Sequence, residues 1–170
     1  NLLEDSSIQI CTVVGFPSGN DSTLSKLNEM QKSINEGATE IDMVMNIKLF
    51  KEKKYQFVLD EIKKMVECSK GNILKVIIES GILTKKELVI ATQIVEDSGA
   101  EFIKTSTGFS KFGASIGNIN LIKKNITSDL KIKASGGIKT LNQIIDLVNS
   151  GVDRIGTSSG VIIMKEITKK

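Results

Sequence analysis

Histidine is absent from the 170-residue chain. That excludes Ser-His-Asp hydrolysis, histidine metal ligation and imidazole acid–base chemistry. Any catalyst must be drawn from Lys, Asp, Glu, Ser, Thr, Tyr or Cys. Cysteine is scarce: Cys11 and Cys68 are the only two, fewer than a disulfide scaffold of this size would carry. Proline occurs once, at Pro17. No linker or low-complexity segment interrupts the chain, and its length suits one cored domain over 1–170. No apolar run approaches the roughly 18 residues that span a bilayer. The start, Asn1-Leu2-Leu3-Glu4-Asp5, lacks the basic segment and apolar core of a signal peptide. A cytoplasmic protein with no membrane partner is expected. The net charge of +3 is small and the lysines are dispersed, so nucleic acid is not an expected partner.

What the chain does have is 40% hydrophobic and 25% charged residues, in an alternating pattern. Short β-branched runs predict strands over 8–14, 40–46, 73–79, 101–105, 130–134 and 154–156. Val76-Ile77-Ile78 is apolar on both faces, as in a parallel strand covered by helices. Between the runs lie helical stripes: Leu24, Leu27 and Ile34; Val58, Ile62, Met65 and Val66; Leu88, Ala91, Ile94 and Val95; Leu141, Ile144, Ile145 and Val148. Thr84 with Glu87, and Thr140 with Gln143, read as capping boxes. Strand–helix alternation implies parallel strands with right-handed crossovers, either as a barrel or as an open sheet.

A repeat points to the barrel. Glu36-Gly37-Ala38-Thr39-Glu40-Ile41-Asp42, Ser98-Gly99-Ala100-Glu101-Phe102-Ile103-Lys104 and Ser150-Gly151-Val152-Asp153-Arg154-Ile155-Gly156 share one pattern. Each has a glycine where a helix should stop, a small residue, then a polar pair entering a strand. The copies recur every second βα unit, as expected where alternate strands of a barrel supply one side-chain layer. The seventh position holds Asp42, Lys104 and Gly156, which places all three at one height near the C-terminal mouth.

Two lysines end strand-like runs, Lys104 and Lys133. A buried ammonium is costly unless paired or neutralised. A second cation nearby and partial burial lower an amine's pKa, so that it can attack a carbonyl. One lysine then forms an imine while the other tunes it; the residues alone leave open which is which. Asp42 is placed to relay protons through a water or to pair with a lysine. Lys75 opens its strand and is expected on the stability face, away from the chemistry. Ser135-Gly136-Gly137 and Gly156-Thr157-Ser158-Ser159-Gly160 follow the last two strands, where barrels commonly seat a phosphate on backbone N–H groups and hydroxyls.

Cys11-Thr12-Val13-Val14-Gly15-Phe16-Pro17, Glu40-Ile41-Asp42-Met43-Val44, Leu74-Lys75-Val76-Ile77-Ile78-Glu79, Phe102-Ile103-Lys104-Thr105-Ser106-Thr107-Gly108-Phe109 and Lys133-Ala134-Ser135-Gly136-Gly137-Ile138 occur in this order. Over essentially its whole length the chain resembles the deoxyribose-phosphate aldolases. The resemblance implies a TIM-type (β/α)8 parallel barrel. It also implies reversible cleavage of 2-deoxy-D-ribose 5-phosphate to acetaldehyde and D-glyceraldehyde 3-phosphate, with no metal or other cofactor. It makes Lys104 the Schiff-base lysine, Lys133 the residue that perturbs it and Asp42 the proton relay. Gly136, Gly137, Gly156, Ser158 and Ser159 match residues at the phosphate.

In that family two βα units, with an Asp-His-Thr motif on the first strand, precede the segment matching Cys11–Pro17. About six units are therefore expected here, forming a single partial aldolase barrel. Strands near Val13 and Ile155 would then be unpaired edges, which invite association with another chain, so a homo-oligomer is expected, a dimer first. The other reading left open is a relative that binds sugar phosphate, or assembles through its edges, without turning substrate over.

Overall fold

The computed structural model describes residues 6–168; the expectation resting on Asn1–Asp5 lies outside them. Six strands, β1 (Cys11–Val14), β2 (Glu40–Val44), β3 (Ile73–Ile77), β4 (Phe102–Lys104), β5 (Lys131–Ser135) and β6 (Arg154–Gly156), form one sheet in sequential order. Every neighbouring pair is parallel. The helices between and after them are α1 (Thr23–Asn35), α2 (Ile47–Lys51), α3 (Tyr55–Ser69), α4 (Lys85–Ser98), α5 (Ile116–Asn125), α6 (Leu141–Asn149) and α7 (Gly160–Ile167). This is a partial (β/α) barrel with β1 and β6 as its edges.

Local chemistry sets the helix ends. Thr84 and Thr140 each accept from the backbone N–H three residues on, and Glu87 and Gln143 reach back, completing both predicted capping boxes. The repeat glycines Gly37, Gly99 and Gly151 all have positive φ, at 102°, 82° and 91°. Each is a left-handed exit that turns the chain from helix to next strand, a geometry that penalises any Cβ.

The strands have two dissimilar faces. Ile41, Met43, Leu74, Val76, Ile103, Ile132 and Ala134 are fully buried on the convex side, packed in one cluster with Val58, Ile62 and Met65 of α3 and Leu88, Ala91 and Val95 of α4. The alternate positions face inward and include six charged residues: Glu40, Asp42, Lys75, Lys104, Lys133 and Arg154. They meet across non-adjacent strands, which only a concave face allows.

Strand register confirms the layer reading. Asp42 pairs with Lys75, and Lys75 with Phe102, two residues short of Lys104. Lys104 pairs with Lys133, and Lys133 with Arg154, again two short of Gly156. The repeat thus climbs one residue per strand, the stagger of a barrel with shear eight, and Asp42, Lys104 and Gly156 do share a level.

Two helix stripes differ from expectation. Leu24 is exposed, and the buried face of α1 is carried by Met30 and Lys26. The Lys26 ammonium reaches inward to the Val44 carbonyl and the Glu61 carboxylate, each at 2.9 Å. That ties α1 to β2 and α3 and turns Leu24 outward. On α6, Ile145 and Val148 are exposed, as are Val161, Ile162 and Met164 on α7. These two helices flank the edge strand β6, so their outer faces have no further described βα unit to pack against.

Candidate active site

The inward charges form one network. The Asp42 carboxylate is 3% exposed and accepts from three lysines. Its Oδ2 lies 2.7 Å from Lys104 Nζ and 2.6 Å from Lys133 Nζ, and its Oδ1 lies 3.1 Å from Lys75 Nζ. Lys75, fully buried, also donates to Glu40 Oε2 at 2.7 Å, and Arg154 donates to the same oxygen. Beside them the Cys11 thiol donates to Asp42 Oδ1 at 3.3 Å. Four cations share two carboxylates, so the site carries excess positive charge.

That excess acts unequally. For Asp42, burial alone would raise the pKa, but the ammonium groups of Lys104 and Lys133 overrule it and hold the carboxyl far below its usual range. For Lys104, burial lowers the pKa, Asp42 opposes, and the Lys133 charge adds to the lowering; the net direction is down. For Lys75, burial also pulls down, but the bonds to Glu40 and Asp42 prevail and the net direction is up. Of these two lysines in contact with Asp42, one is locked as a cation and the other is eased toward the free amine. Cys11 stays protonated, since burial and Asp42 both push its pKa up.

Lys104 and Lys133 also line an open cavity of about 380 Å³. Gly136, Gly137, Gly156 and Ser158 line it with them. Gly136 and Gly137 have φ of 89° and 74°, and a Cβ at Gly136 would lie 3.0 Å from the Gly113 backbone. A Cβ at Gly156 would lie 3.3 Å from Lys133 Cε, so this glycine leaves room for the lysine arm as well as for a ligand. Ser159 is the N-cap of α7, and its N–H donates to Thr157 Oγ1 at 2.9 Å. It stands beside the cavity rather than among its lining residues. The α7 N-terminus nevertheless brings partial positive charge to this end.

The sequence-predicted residues therefore meet at one place, and the structure adds others. Lys75 does not open its strand as expected: it is the middle residue of β3, in register with Asp42, and instead of lying remote on the stability face it clamps the second oxygen of Asp42. The signal was the Glu40/Asp42 alternation, which puts two carboxylates on one strand face. Thr107, Phe109 and Lys139 also line the cavity; Thr107 and Phe109 belong to the motif that follows Lys104, whereas nothing in the local sequence marks Lys139.

This geometry suits imine chemistry: a depressed amine at a cavity wall, a neighbouring ammonium, and a carboxylate hydrogen-bonded to both. Lys133→Met would leave Asp42 more fully available to Lys104. The acidic limb of the pH dependence of imine trapping should then move up by about one pH unit. An unchanged profile would show that Lys133 does not tune Lys104.

Comparison with known proteins gives the family. The sequence profile of the DeoC/LacD family aldolases matches residues 3–170. A deoxyribose-phosphate aldolase from Mycoplasmoides pirum is 53% identical over 172 residues, covering 99% of this chain and 77% of that protein. One from Dictyoglomus turgidum is 45% identical over 168 residues with the same coverage. The solved tetrameric deoxyribose phosphate aldolase from Aeropyrum pernix superposes with a TM-score of 0.90 at 31% identity, covering 98% of this chain and 71% of that one. Profile, relatives and fold agree along nearly the whole chain, which belongs to the DeoC/LacD aldolase family.

Proposed function

We propose that this chain is a class I deoxyribose-phosphate aldolase, with residues 1–170 acting as one catalytic domain. The observation that carries the proposal is the buried Lys104–Asp42–Lys133 cluster opening onto a glycine-lined cavity. Lys104 attacks C1 of open-chain 2-deoxy-D-ribose 5-phosphate, and water leaves to give the iminium. The C3 hydroxyl then gives up its proton and the C2–C3 bond breaks, its electron pair passing into the iminium. D-Glyceraldehyde 3-phosphate departs and an enamine remains. Protonation at C2 and hydrolysis release acetaldehyde and restore the amine. Asp42, ionised and bonded to both lysines, moves these protons through a water. Lys133 stays beside the imine, hydrogen-bonded to the same Asp42 oxygen as Lys104. Gly136, Gly137, Gly156, Ser158 and Ser159, with the α7 N-terminus, hold the phosphate.

Borohydride reduction in the presence of acetaldehyde tests this. The expected result is a mass gain of one ethyl group located on Lys104. Absence of an adduct, combined with thermal protection by glyceraldehyde 3-phosphate, would instead identify a sugar-phosphate binder. We further propose a cytoplasmic homo-oligomer. The exposed apolar residues of α6 and α7 and the open sheet edges support association, and the Aeropyrum pernix relative is described as tetrameric. Among the described residues, no helix is long and apolar enough to cross a membrane.

A further inference from the structure

Glu79 follows the last residues of β3 and is 7% exposed. Its backbone is left-handed, at φ 50° and ψ 55°. A non-glycine residue in that region is strained, and such strain persists where surroundings enforce it. Its carboxylate is aimed at the loop after β4. Thr107 donates to Oε2 through both its hydroxyl, at 2.6 Å, and its backbone N–H, at 3.2 Å. The Ser110 hydroxyl donates to Oε1 at 2.9 Å. One carboxylate therefore holds both ends of a four-residue turn by charge-assisted hydrogen bonds.

The turn is part of the cavity wall. Thr107, Gly108 and Phe109 line it together with Lys104 and Lys133. Thr107 Oγ1 also accepts from the Phe109 N–H at 3.1 Å, and the Phe109 ring meets Phe16 edge-on at 5.2 Å. Because Thr107 gives its hydroxyl proton to Glu79, it presents a lone pair, not a donor, to anything in the cavity.

We infer that Glu79 is a positioning residue: a fixed internal anion around which the Thr107–Ser110 turn folds, setting the shape and hydrogen-bond polarity of the substrate wall over Lys104. The inference rests on the aldolase reading and adds to it a residue that acts through the turn, outside the imine chemistry. It predicts a split. Glu79→Ala should raise KM for 2-deoxyribose 5-phosphate about tenfold, while the rate of acetaldehyde trapping on Lys104 stays within about twofold of the parent. Glu79→Gln should restore most of the loss, since its amide oxygen still accepts from Thr107. Amide exchange at Thr107 should accelerate at least about tenfold in Glu79→Ala, with β4 amides unchanged. An unchanged KM, a fall in trapping equal to the rise in KM, or unchanged exchange at Thr107 would each overturn it. If the parent protein traps no acetaldehyde, the aldolase reading fails, whereas the exchange measurement still decides whether Glu79 holds the turn.

Discussion

Lys104→Ala should abolish the borohydride-trapped adduct and lower retro-aldol turnover by roughly three orders of magnitude or more, because no other amine takes its place. Lys133 is held on the same carboxylate oxygen but on the neighbouring strand, and Lys75 is fully buried and held as a cation. The fold should survive. Four cations share two carboxylates here, and removing one leaves Asp42 paired with Lys75 and Lys133. A circular dichroism spectrum like the parent's, with no adduct, is the expected pair of results. An adduct forming at the parent rate would mean the nucleophile is another lysine. The variant should also differ in its stability–pH curve. Burial, reinforced by Lys133, lowers the Lys104 pKa in the folded state. Between that value and the ordinary lysine value the unfolded chain binds more protons, so this group makes the parent more stable as pH rises. Lys104→Ala should lose that contribution, which urea titrations across the alkaline range would show.

Asp42→Asn should be the most damaging single change to both stability and activity. It withdraws the anion from three lysines at once, and removing one partner of a buried ion pair costs about 3–5 kcal/mol. An amide cannot accept the relayed proton, so turnover should fall by about 10²–10⁴. The stability loss has a defined pH range. Asp42 has its folded pKa depressed by Lys104 and Lys133. Its contribution is therefore complete above the ordinary carboxylate value and is lost as pH falls toward the folded one. Parent and variant should differ most near neutrality and converge in strong acid. The double variant Asp42→Asn/Lys104→Ala should recover part of the loss, because one stranded ammonium is gone. Equal stability of parent and Asp42→Asn near neutral pH would show that the lysines do not depend on this carboxylate.

Much of this protein is determined locally and was legible in its residues. Thr84 with Glu87 and Thr140 with Gln143 fix helix starts through bonds spanning three residues. Gly37, Gly99 and Gly151 fix helix exits through backbone conformation alone. The spacing of those glycines located Asp42, Lys104 and Gly156 on one level before any coordinate was needed, because barrel stagger is regular.

Tertiary structure decided what depends on distant partners. Periodicity showed that Leu24, Ile145 and Val148 are apolar but not whether anything covers them, since burial is settled by the neighbouring element. Lys75 looked detached because its role is made by Glu40 and Asp42, more than 30 positions away in the chain. Arg154 reaches Glu40 across 114 positions, and Glu79 meets Thr107 only because β3 and β4 end side by side. Which lysine is eased toward the amine and which is fixed as a cation follows from burial and the sharing of two carboxylates, and those are properties of the concave face, not of any segment of the chain.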